Sequence, residues 1–94
     1  MQDLIRSLET LVAGINDAMT KLGIGSDRRE AATLRERTLA ADFWSDTSGA
    51  SDVSRRLAAL DRHIDSWTNL LAEATEALEL AKLEHDASDT ELLE

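Results

Sequence analysis

The sequence predicts an all-α protein: an elongated antiparallel helical hairpin or small coiled-coil bundle, with one long helix over about residues 48–86. Three observations carry that expectation. The 94 residues include no proline and only four glycines, a composition that favours helices over turn-rich sheet. Apolar side chains recur at alternating steps of three and four, the spacing of one helix face. Aromatic residues make up 3% of the chain, so the core must be aliphatic and small, within a single domain.

In chain order, Leu4, Leu8, Leu11, Ile15, Ala18 and Leu22 form the main apolar row of a first helix over about residues 3–22, flanked by Ile5, Val12 and Met19. Gly23 and Gly25 supply the left-handed residues that end a helix. Asp27 and Glu30 then make a capping-box pattern for a short second helix that runs to about Ala41 through Ala31, Leu34 and Thr38. Asp42-Phe43-Trp44-Ser45-Asp46 reads as a packed turn. Phe43 and Trp44 are expected, with Trp67, as core anchors, and Asp46, Thr47 or Ser48 as the cap of the next helix.

The third helix carries the clearest pattern: Ala50, Val53, Leu57, Leu60, Ile64, Trp67, Leu71, Ala74, Leu78, Ala81 and His85 form a coiled-coil seam. No single partner helix covers it, so the second helix is expected antiparallel against Val53 to Leu60. The first is expected against Ile64 to His85, with the glycine break near Trp67. Ser88 and Glu91 repeat the capping-box pattern, so a further helix is expected to start near residue 88 and to be unfinished at Glu94. A second row, Leu70, Ala77 and Leu80, lies beside the seam. It would suit a returning helix, or a homodimer in its absence.

Several functional classes are disfavoured. There is no cysteine, hence no disulfide framework, thiolate metal site or thiol nucleophile. No apolar run is long enough to span a membrane, and residues 1–6 do not read as a secretory signal, so the expected location is the cytoplasm. The net charge of −9 argues against free nucleic-acid binding. That charge is uneven: residues 63–94 hold one basic and nine acidic side chains. The seven arginines Arg28, Arg29, Arg35, Arg37, Arg55, Arg56 and Arg62 gather over residues 28–62 and read as a solvated basic face or a contact face for ribosomal RNA or an acidic partner. His63 and His85 stand roughly 33 Å apart on one helix and cannot share a metal. Gly23-Ile24-Gly25 lacks the Lys-Ser/Thr of a phosphate loop. No nucleophile, base and orienting group converge, and no cofactor is implied.

The order of a leading helix, a short helix, Asp42-Phe43-Trp44-Ser45-Asp46, Ala50, Trp67 and Leu78-Glu79-Leu80-Ala81 resembles the N-terminal domain of the bacterial peptide chain release factor 2 family. The most specific element is the Asp-Phe-Trp-x-Asp turn. Ala41 stands where that family commonly has proline, and Thr47-Ser48-Gly49 replaces its usual Pro-Glu-Lys/Arg. The family hydrolyses peptidyl-tRNA through Gly-Gly-Gln and reads stop codons through Ser-Pro-Phe, and this chain has neither motif. The resemblance therefore implies no catalytic residue here. It implies an accessory role in translation termination, with the ribosome, the remaining domains of the factor and a partner GTPase as partners. The alternative reading is a stand-alone dimeric coiled-coil interaction protein.

Overall fold

A computed structural model describes the backbone of residues 2–93 and the side chains of residues 2–87. Three helices account for almost all of it: α1 (Gln2–Lys21), α2 (Ile24–Arg37) and α3 (Thr47–Leu93), with one 3₁₀ turn, Phe43–Ser45, between the last two. No strand occurs among the described residues. The all-α hairpin built on one long helix is therefore the observed fold. The helices pack as two compact units, Met1–Ala18 with Thr68–Glu94, and Met19–Trp67.

In the first unit, α3 presents Ala74 and Ala81 buried, alternating along the seam with half-buried Leu71, Leu78 and His85. The α1 residues turned away from solvent are Ile5, Leu8, Val12, Ile15 and Ala18, followed by Met19 at the start of the second unit. This corrects the expected main row, because Leu4 and Leu11 remain about half exposed (51% and 49%). The apolar stripe of α1 is wider than one seam can cover. The row stepping through Ile5, Leu8, Val12 and Ile15 turns inward, with Ile15 buried and the others half-buried, and one edge is left outside.

The second unit holds the tighter core. Ala31, Leu34 and Leu60 form a buried cluster, with Val53, Leu57 and Ile64 packed against it. Thus α2 lies on the segment of α3 that the seam spacing predicts, and all eleven seam residues from Ala50 to His85 are at least partly buried. Ile24, 1% exposed, is the most completely buried side chain among the described residues. Its position explains why α2 begins at residue 24 and not at Asp27. Gly23 (φ 72°, ψ 34°) closes α1, donating its N–H to Thr20 O at 3.1 Å, and its own carbonyl accepts the first bond of α2 from Asp27 N–H at 3.0 Å. A left-handed residue at a helix end is cheap only for glycine.

Two further expectations are corrected. Helix α2 stops at Arg37, not Ala41: the Thr38 hydroxyl turns back to donate to Arg35 O at 2.6 Å, and short turns carry the chain through Leu39 and Ala40. Helix α3 runs without a break to Leu93, so residue 88 begins no new element. With no Gly or Pro between Asp86 and Leu93, extending an existing helix is easier than nucleating another.

Candidate functional site

The residues singled out in the sequence fall on the α2–α3 pair and the turn joining them. With Ala31 and Leu34 at the centre of the α2 seam, Glu30 and Arg35 fall on its two opposite flanks. On α3, Arg56 and Asp61 flank Leu57 and Leu60 in the same way. Arg56 donates through Nε to Glu30 Oε2 at 2.7 Å and through Nη2 to Glu30 Oε1 at 3.0 Å, a two-pronged contact. On the other flank Arg35 Nη2 donates to Asp61 Oδ2 at 2.6 Å. His63 Nδ1 lies 2.9 Å from Asp27 Oδ2; the carboxylate only accepts, so the ring nitrogen is the donor. The hydrogen bond from Arg56 holds the Glu30 carboxyl below its ordinary range, and the same contact raises the Arg56 guanidinium.

Both members of the expected capping box, Asp27 and Glu30, are thus engaged across the helix pair, and α2 has no side-chain cap. Sequence reasoning missed these pairs. The signal was present: opposite charges sit beside two apolar rows in the positions that face each other when the helices run antiparallel. Along the Asp27–Glu30 flank, the higher number on α2 meets the lower number on α3, as that direction requires.

The seven arginines do not form one basic face. Arg35 and Arg56 are spent between the helices, and Arg55 is bonded to Asp52 one turn before it at 2.9 Å. Arg55 and Arg62 lie on α3 opposite its seam, whereas Arg29 lies on α2 opposite its own, so they point to different sides of the pair. Arg28 borders a shallow recess with Arg35, Asp61 and Asp65. Arg37 borders another of about 290 Å³ with Asp42, Phe43, Asp46 and Val53. Among the described residues, Arg29, Arg37 and Arg62 enter no ion pair.

In the connecting turn, Asp46 caps α3: its Oδ1 accepts the Gly49 N–H at 3.1 Å and its carbonyl accepts the Ala50 N–H at 2.9 Å. A Cβ on Gly49 would stand 2.6 Å from Asp46 Oδ2, so the glycine leaves room for that cap. Ala50 is buried, and Phe43 and Trp67 are half-buried. Trp44 corrects the sequence expectation. It is 60% exposed and touches Phe43 edge-on, with ring centroids 4.7 Å apart and planes at 88°. Three consecutive residues in a 3₁₀ turn cannot all face inward, and Phe43 takes the inner place.

No group of three His, Cys, Asp or Glu side chains among the described residues could hold a metal ion. No helix formed by them is long and apolar enough to cross a membrane.

The class so defined is an all-α helical hairpin built on one long helix. No family model matches the chain, and no solved structure matches it significantly. Two curated proteins do. The chain is 38% identical over 63 residues to peptide chain release factor 2 of Chlamydia abortus, covering 67% of this chain and 17% of that protein. It is 31% identical over 85 residues to peptide chain release factor 2 of Thermomicrobium roseum, covering 90% of this chain and 23% of that protein. The chain is a region related to release factor 2, and it spans about a fifth of the length of these relatives.

Proposed function

We propose that the chain is the N-terminal helical domain of a release-factor-2-like protein and positions that factor on the ribosome during stop-codon-dependent peptide release. The similarity to release factor 2 over 90% of the chain carries this reading. The helical fold and the Asp42-Phe43-Trp44-Ser45-Asp46 turn support it. The domain itself performs no chemistry, since it has no Gly-Gly-Gln; peptidyl-tRNA hydrolysis belongs to the rest of the factor. Its partners are the ribosome, the other domains of the factor and a partner GTPase, all in the cytoplasm. Exposed Arg29, Arg37 and Arg62 are available for salt-sensitive contacts.

The test is binding of the chain to terminating ribosomes at two salt concentrations, with and without competing full-length release factor 2. Binding that is competed and weakened by salt supports the reading; failure to bind removes the positioning role. The second reading, a dimeric coiled-coil interaction protein, is favoured by one observation. Leu70 and Leu80 on α3 remain 43% and 61% exposed, and Ala77 is exposed between them.

A further inference from the structure

Two large apolar side chains stay in solvent in the segment joining α2 to α3, Leu39 at 83% and Trp44 at 60% exposure. Trp44 is nonetheless held in place. It sits inside a 3₁₀ turn closed by the Ser45 N–H donating to Asp42 O at 3.2 Å, and its ring stands edge-to-face on Phe43. An indole already fixed in one orientation loses little further freedom when a partner covers it, which is why tryptophan is a frequent binding anchor. The fold does not need it: the buried cluster of this unit is built from Ala31, Leu34 and Leu60.

The surroundings of the indole say what kind of partner it suits. Asp42 does not cap the 3₁₀ turn, and among the described residues its carboxylate has no partner. Asp46 is also exposed. A phosphate backbone approaching Trp44 meets two carboxylates against the single guanidinium of Arg37 that borders the same recess, a local excess of negative charge that disfavours it. A protein pocket with an apolar floor and a basic rim matches both the indole and the charges.

We infer that the segment carrying Leu39 and Trp44 is a protein-docking knob: the two side chains enter an apolar pocket on a partner protein, and Asp42 faces Lys or Arg at its rim. The inference rests on the ribosome-associated reading above and adds to it that this contact is made to a protein of the terminating complex and not to its RNA.

The experiment measures binding of the chain to terminating ribosomes for the wild type, Trp44→Ala, Trp44→Phe and Asp42→Lys, with thermal unfolding of each recorded alongside. A benzophenone-bearing residue in place of Leu39 identifies what lies against the knob. Trp44→Ala is expected to weaken binding by about 30-fold or more, the scale of an anchor residue, and Trp44→Phe by less. Asp42→Lys is expected to weaken it too, melting to stay near that of the wild type, and the cross-link to form on protein. Wild-type affinity in Trp44→Ala, tighter binding by Asp42→Lys, or a cross-link on ribosomal RNA overturns the inference and leaves the proposed function standing. If the wild-type chain does not bind ribosomes, both fall together.

Discussion

Gly23 decides where one helix ends and the next begins. Its φ of 72° is a conformation that costs an L side chain about 1–2 kcal/mol, while alanine also narrows the unfolded ensemble and offsets part of that. Gly23→Ala should therefore lower stability by about 1 kcal/mol. Its urea midpoint is the measurement, and an unchanged midpoint would contradict the left-handed geometry. Glu30 gives a prediction in pH. Its carboxyl is held below the ordinary value of 4.5 by Arg56, so the stabilisation from this contact is present above that value and is lost as pH falls through the lower folded-state value. Glu30→Gln should be less stable than the wild type at neutral pH, and the gap should close in acid. Urea midpoints at pH 7 and pH 3 would show it; a gap that persists or widens in acid would count against the ion pair.

Among the elements, α2 is fixed against α3 by packing and pairing. Leu60, 4% exposed, meets it at the centre of the cluster. Leu60→Ala should cost about 2–5 kcal/mol, while Leu39→Ala at the exposed turn should stay within about 0.5 kcal/mol. Equal losses at the two positions would mean the cluster is misassigned. The exposed ion pairs add little free energy of their own, but they specify which residues meet. Arg35→Asp should be rescued by the compensating Asp61→Arg, and a double variant no better than the singles would dissociate the two residues. The α3 seam was legible from residue spacing alone, because eleven positions in strict three-four alternation admit one buried face. The α1 row was not, since two apolar rows lie side by side on that helix and only its rotation against α3 selects between them. The same limit hid the true use of Asp27 and Glu30. A capping-box pattern and a pair of interhelical carboxylates look alike until the start of α2 is fixed by Gly23 and the burial of Ile24. At the turn, the cap at Asp46 could be read from residue type; the exposure of Trp44 could not, because it depends on which of two adjacent aromatics turns inward.

For the molecule as a whole, exposed leucines are distributed over both units, with Leu4, Leu11, Leu70, Leu80 and Leu83 in one and Leu22 and Leu39 in the other. If the chain self-associates through α3, Leu80→Glu should shift sedimentation toward the monomer without lowering its helix content. A dimer unaffected by the change would place the interface elsewhere. The aromatic residues are distributed less evenly. Phe43, Trp44 and Trp67 are the whole aromatic complement, and all three belong to the unit formed by Met19–Trp67. The other unit is invisible to tryptophan fluorescence and near-ultraviolet dichroism, while far-ultraviolet dichroism reports helix from both. Two optical melts of one sample thus separate the chain's halves without a label: coincident curves mean that they unfold as one cooperative body, and displaced curves time the silent half against the fluorescent one.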